Sequence, residues 1–440
     1  MRSRLVAVGV VALFTLPARA DEPPAHLPPG PDPLADAFFQ PPGAPGGSCD
    51  GARKGGSAAR LPLLLGTCEQ FFEACAEDPA CPPEFSTWLT AEVLIGKARA
   101  PSLVPVVTTG PAAAGVLAGS IGQPGTVPLF GGGNVLTDWR TGLRVETGMW
   151  FDRDRTLGVG TRVYSLFSAR DELIGRPDAV SVVNVPNFVP GTAAGTVQFP
   201  AFVGFPGLTS GSLSATATSS FVGGDLNLRH LLNPGASYRL ELLAGYRHMY
   251  LRDQFGVTFE STALGVAPAL APRLTGRDQL RTRNNFGGAQ LGLYASTGGK
   301  RFMVEAHAST ALGVTVSDTD FSRQRTLSLG NGGAVPIATG LVALGVPALT
   351  AAQVAAAASA VPFGQTTVQN ELTYFGLVGE GGVRVKWFVT DYVRVTGGYS
   401  FTYWNNVRRA PEMFTNSPVL TPRAVDFTTH LFSAGLELRY

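Results

Sequence analysis

Histidines and carboxylates are the residues most able to do acid–base chemistry, and this chain is sparing with both. Its five histidines are His26, His230, His248, His307 and His430. None has an Asp-His or His-Ser neighbourhood that would prepare a general base. His307 lies two residues from Glu305 in an alternating stretch, so hydrogen bonding within a polar network is its expected role. Asp318-Thr319-Asp320 offers two carboxylates at the expected start of a long loop, while calcium takes about six to eight oxygens. Gly131 to Asn134 lacks the lysine and following helix of a phosphate loop and reads as a turn. Cys49, Cys68, Cys75 and Cys81 are irregularly spaced with no histidine among them, which argues against zinc. No catalytic, cofactor-binding or metal-binding residues are expected, and the chain is not expected to be an enzyme.

The next question is what elements hold the remaining polar residues. The N-terminus carries Arg2 and Arg4, an apolar stretch from Leu5 to Leu16, and Ala18-Arg19-Ala20. That is the three-part form of a secretory signal, expected to be cleaved after Ala20. Residues 21–47 are crowded with proline and read as an extended linker. Residues 48–84 form a small cysteine-bearing segment, with a short helix expected over Glu69 to Glu77. Exported cysteines are expected to be oxidised, in any of three pairings. The net charge of +2 and the absence of Lys/Arg runs give no reason to expect nucleic acid.

From residue 85 to residue 440 a period of two dominates. Ten segments carry it, near 87–96, 138–151, 156–168, 219–231, 237–251, 285–297, 300–314, 376–389, 392–405 and 428–440. Each offers about 10 to 15 residues, where a tilted membrane-crossing strand needs about 9–11. Short connections (Asp152 to Arg155, Asn233 to Gly235, Gly298-Gly299, Thr390-Asp391) alternate with long ones at 97–137, 169–218, 252–284, 315–375 and 406–427. Outer-membrane barrels have this asymmetry between periplasmic turns and external loops. The final segment runs to an aromatic, Tyr440, as the closing strand of such a barrel does. The expected fold is therefore all-β: a transmembrane antiparallel up-and-down barrel of about ten strands, with a proline-rich periplasmic extension before it.

The charges decide which face is which. Leu143, Val145 and Met149 oppose Arg140, Arg144 and Glu146; Tyr238, Leu240, Leu242 and Tyr246 oppose Arg239, Glu241 and Arg247. One Arg or Lys facing lipid at mid-depth costs roughly 2–4 kcal/mol, so the charged parity must face inward. The expected lumen lining is Glu92, Arg144, Glu146, Arg162, Arg239, Glu241, Arg247, Glu305, His307, Glu380, Arg384, Lys386, Arg394, Glu437 and Arg439. On the same reasoning His248 faces lipid near the upper end of the fifth strand, and His430 lies near the upper end of the tenth. A barrel of about eight strands is filled by its own side chains, while open channels appear at about sixteen. Ten strands leave little room, and mixed charges in that space favour ion pairs.

Several stretches carry a family resemblance: "FSTWLTAEVLIG", "PVVTTGP", "GQPGTVPLFGG", "GLRVETGMWFDRDRTLGVGTRVYSLF" and "VTGGYSFTYWNNVRRAPE". With the exported proline-rich front, they resemble the putative beta barrel porin-7 family over residues 85–440. The resemblance implies an outer-membrane barrel and brings no catalytic residues with it.

Residues 333–364 carry no charge and are interrupted by Pro336, Gly340, Gly345 and Pro347. They are expected to fold inward as a partial lid, with a short helix over Thr350 to Ala360. The functional expectation is a porin passing small solutes or ions, with a weak anion preference, through a narrow polar lumen. The alternative is a structural or surface-interaction barrel with a closed lumen, and an outer-membrane enzyme is the weakest candidate. Expected partners are the outer-membrane lipid bilayer, the barrel-assembly machinery, and a cell-wall or envelope component reached by the N-terminal extension; no cofactor is expected.

Overall fold

The structure, a computed structural model, describes residues 86–175, 182–190, 196–233, 238–346, 364–416, 420 and 422–439. The signal, linker and cysteine segment expected over 1–84, Tyr440, and the helix expected over 350–360 lie outside those residues.

Ten long strands make the body: β1 (Ser86–Ala98), β2 (Arg140–Trp150), β3 (Leu157–Gly175), β4 (Thr209–Asn233), β5 (Tyr238–Ala263), β6 (Pro272–Gly298), β7 (Phe302–Leu329), β8 (Gly364–Phe388), β9 (Val393–Arg408) and β10 (Ala424–Arg439). Each pairs antiparallel with the next, and β1 pairs with β2 on one edge and β10 on the other, closing a barrel. Closure satisfies the backbone groups that an open edge would leave bare. Tight connections gather at one end. There Asp152 accepts from the Thr156 backbone N–H at 2.7 Å, and Arg155 takes a positive φ of 55°.

Strand lengths depart from expectation. β4 to β8 run 25, 26, 27, 28 and 25 residues, about twice what the alternation predicts. Most of the span expected as a long loop at 252–284 is strand, and so are residues 315–329 and 364–375 at the two ends of the one expected at 315–375. Asp318-Thr319-Asp320 consequently lies inside β7, and His248 lies mid-strand in β5. The cause is an exchange of polarity between the two faces. On β5, Tyr238 and Tyr246 are exposed outside while Glu241 and Arg247 are buried inside. Above Tyr250 the outward row becomes Arg252, Gln254, Thr258 and Glu260, and the buried inward row becomes Phe255, Val257 and Phe259. The pairing of β5 with β6 continues through this point from Thr262 to Tyr238 without a break. On β4 the same exchange leaves Ser210, Ser212 and Ser214 outside and Leu213, Ala215 and Ala217 inside.

The lower outward rows form an apolar band. On β5 it runs from Tyr238 to Tyr250, and residues at ~3.3 Å rise and about 40° tilt give it a height of roughly 30 Å. Exposed Tyr238, Phe302, Trp387 and Tyr392 ring its lower edge.

The upper end carries a second tier. Ser102–Leu103 pairs with Gly133–Asn134, and a four-stranded sheet orders Val127–Phe130, Val107–Gly110, Val182–Pro190 and Thr196–Gly204. Gly131 and Gly132, with φ of 79° and 78°, turn the chain between these pieces. A Cβ on Gly131 would stand 2.1 Å from the Val104 carbonyl oxygen, so the turn requires glycine. Of the expected lid, residues 333–346 are described: a helix spans Ile337–Ala343, and Leu341, Leu344 and Val346 are buried. A Cβ on Gly340 would meet Leu327, and one on Gly345 would meet Leu208 and Phe202, so this segment packs on the upper tier.

Candidate functional site

The lumen is the chemically distinctive part of the molecule, and it divides into three layers along its axis.

The lowest layer is ionic. Register places Glu92 opposite Arg144, Glu305 opposite Arg384, and Arg394 opposite Glu437 on neighbouring strands. Longer bridges then join strands that do not touch. Arg384 reaches Glu92 at 3.1 Å and Glu146 at 3.1 Å. Lys386 on β8 likewise skips a strand to pair with Glu437 on β10, and it also holds Glu305 on neighbouring β7 at 2.5 Å. Glu437 further holds Arg394 at 3.3 Å and Arg439 at 2.7 Å. Arg229 and Arg239 close on Glu241 at 2.7 and 2.5 Å. The guanidinium of Arg229 also lies 4.4 Å from the Tyr294 ring centroid.

A second ionic cluster sits higher. Asp225 faces Arg162 on one side and Arg247 on the other. Arg162 holds Asp225 and Glu380 at 2.6 Å each, and Arg247 holds Glu380 at 2.6 Å. His307 approaches Glu380 at 3.2 Å. Among the described residues a cavity of about 50 Å³ lies between Arg162, Arg229 and His307, and one of about 140 Å³ at the lower mouth beside Trp88 and Arg439. Such spaces suit water.

Above the ion pairs the lumen turns apolar. Leu94, Tyr164, Phe221, Met249, Phe286, Val378, Trp404 and Phe427, from eight strands, form one buried cluster. Phe221 meets Phe427 at 5.0 Å between ring centroids, and Phe286 meets Trp404 at 6.1 Å. The Trp404 indole N–H donates to Thr315 Oγ1 at 3.0 Å, satisfying its one polar atom.

The top layer is a second hydrophobic core in which connecting segments fill the ring. Val106, Val107, Phe130 and Leu136 from the first connection, and Met413 and Phe414 from the last, pack against inward Leu213, Phe255, Val257 and Phe321. Polar ties fix them. Buried Arg409 pairs with buried Asp253 and donates to the Arg99 carbonyl at 2.9 Å. Asn284 donates to the Arg408 carbonyl at 2.7 Å and accepts from its backbone N–H at 2.8 Å. Asn416 donates to the Pro105 carbonyl at 2.7 Å. Asp278 holds Arg325 at 2.7 Å and Arg323 at 3.1 Å. Burial alone would push the Asp278 carboxyl up, but Arg325 and Arg323 outweigh it and hold the pKa below the ordinary value.

A barrel of this layout matches a known family model. The model of the putative beta barrel porin-7 family matches residues 88–423. The chain belongs to that family. Among curated proteins none matches it. Similar solved structures include the outer membrane protease OmpT from Escherichia coli, with 10% identity over 82% of this chain and 97% of that one, at a TM-score of 0.35. The translocator domain of autotransporter NalP from Neisseria meningitidis has 8% identity over 84% and 94%, at 0.21. The Ralstonia pickettii toluene transporter TbuX has 9% identity over 83% and 93%, at 0.18. At these scores none bears on what the family member described here does.

Every residue expected to line the lumen lies in one of the two ionic clusters, which the strand pairing brings together. His430 is elsewhere: on the outer face of β10, with its Nδ1 2.7 Å from Tyr399 Oη. Sequence reasoning missed the apolar septum and the filled upper ring. Their signal was present in "SLSATATSSFVG", where apolar and hydroxyl residues alternate with the opposite sense to the strand below.

Proposed function

We propose that this chain is an outer-membrane barrel of porin type, seated in lipid by its lower apolar band and closed in the conformation described. Small ions or solutes would enter the polar lower lumen from the periplasmic side and pass outward only when the septum and the segments above it move aside. The observation that carries the membrane reading is the exchange of polarity along single strands: apolar outside below Tyr250, polar outside above Arg252. Water on both sides of the wall would not select such a switch. Membership of the porin-7 family supports the same reading. Export by a signal cleaved after Ala20, insertion by the barrel-assembly machinery, and an envelope contact through residues 21–84 belong to this proposal, motivated by composition alone.

A second reading, a structural barrel that never conducts, is favoured by the septum, because Phe221, Phe286, Trp404 and Phe427 are fully buried. Planar-bilayer recording separates the two. The porin reading expects the full chain to be mostly silent, with openings under voltage, and the Trp404→Ala/Phe427→Ala variant to open more often than the unaltered chain, with a weak anion preference. Silence of both proteins at every voltage would sink the porin reading and leave the structural one.

A further inference from the structure

The outward face just above the apolar band carries an arrangement that the lumen does not explain. Arg252 on β5 stands directly opposite Arg283 on β6, and Arg281 lies one outward position higher on β6. Like charges directly opposite one another destabilise a sheet. The surroundings do little to relieve this pair. On the β4 side, Arg252 faces Ser220. On the β7 side, Arg283 faces Asp318 and Arg281 faces Asp320, yet the only ion pair among them is Arg283 with Asp320 at 3.8 Å, both about two-fifths exposed. An exposed pair of that length contributes little. Among the described residues Arg281 makes no ion pair. The Gln254 amide oxygen, turned toward Arg252, accepts from its Nε at 2.7 Å but brings no negative charge.

Below this group the outward row of β5 continues as Tyr250, His248 and Tyr246, and that of β6 as Asn285, Gly287, Ala289 and Leu291. The arginines therefore stand where an inserted barrel would meet lipid headgroups. Guanidinium groups bind phosphate in a bidentate fork, and an anion between Arg252 and Arg283 would turn a repulsive pair into a bridged one.

We propose that Arg252, Arg281 and Arg283 form a ridge that binds phosphate groups on the headgroups of lipids in the outer leaflet. This rests on the outer-membrane reading above. The full-length chain is folded into phosphatidylcholine vesicles, and insertion is scored first by protection of the band from protease. Failure to insert would sink the membrane reading and this proposal together; insertion leaves the ridge to be judged by itself. Thermal unfolding is then compared in phosphatidylcholine alone, with added diphosphorylated glycolipid, and with inorganic phosphate. The glycolipid is expected to raise Tm by a few degrees and free phosphate to leave it unchanged. The R252Q/R281Q/R283Q variant should lose the rise, whereas Arg273→Gln, whose side chain pairs with Glu260 at 3.3 Å higher on the wall, should keep it. Should the triple variant not fold, Arg281→Gln, on an exposed side chain, should lose part of the rise. A rise retained without these arginines, reproduced by free phosphate, or absent from the unaltered chain would overturn the proposal.

Discussion

Arg162 and Glu380 meet at 2.6 Å although their strands, β3 and β8, stand on opposite sides of the ring. Counting either way around the barrel, four strands separate them. A single ion pair therefore spans the lumen, and Arg247 and His307 converge on the same carboxylate. Glu380→Gln leaves two buried arginines short of their counter-charge and should destabilise the barrel by about 3–5 kcal/mol. The double variant Arg162→Met/Glu380→Leu should cost less than the single one, since no uncompensated charge remains. Urea unfolding in detergent micelles of these variants, with Arg162→Met and Glu380→Leu alone to close the cycle, measures the coupling, and strict additivity would refute the direct pair.

The septum makes a separate claim. Trp404→Ala removes a fully buried ring and should cost about 3–5 kcal/mol. It also leaves Thr315 Oγ1 without its donor. Urea midpoints of Trp404→Ala and Trp404→Phe distinguish volume from hydrogen bond, because the phenylalanine variant keeps most of the volume and should recover most of the loss.

The polarity exchange predicts a labelling pattern. With the native cysteines replaced by serine, a cysteine at Leu240 or Val385 should resist aqueous maleimide in vesicles, while one at Ser214 or Thr258 should react. Reaction at all four positions would mean that the lower band faces water.

Acid should weaken the upper ring through Asp278. The Asp278 carboxyl has its pKa lowered by Arg325 and Arg323, so the stability it contributes is fully present above the unfolded value of about 3.9 and is lost as pH falls through the lower folded value. Unfolding midpoints should therefore drop below about pH 4, and Asp278→Asn should be less stable at neutral pH with a flatter acid limb. An unchanged acid limb in the variant would place the titration elsewhere.

How much of this was legible beforehand follows from the physics of each part. Period two was enough for the ring and for its ten members, and charge on one parity is the ground for the inward set expected from Glu92 to Arg439, because an arginine in lipid is costly whatever its neighbours. The expected strand ends at Leu251 and Val314 fall near the edge of the apolar band, and the strands themselves continue past it to Ala263 and Leu329. A search for apolar residues outside stops where the outer solvent changes from lipid to water, even though the backbone pairing does not.

Sequence alone therefore determined the facing of each lower strand, since alternation is a local property enforced by the solvent outside. Tertiary structure alone decided which charges meet across the lumen, because Arg162 and Glu380 lie 218 residues apart in the chain and come together only when the ring closes. It also decided that the top is filled. Val106, Phe130 and Phe414 carry no local sign of their destination, and only the closed wall offers inward Phe255 and Phe321 as the surface to bury them against.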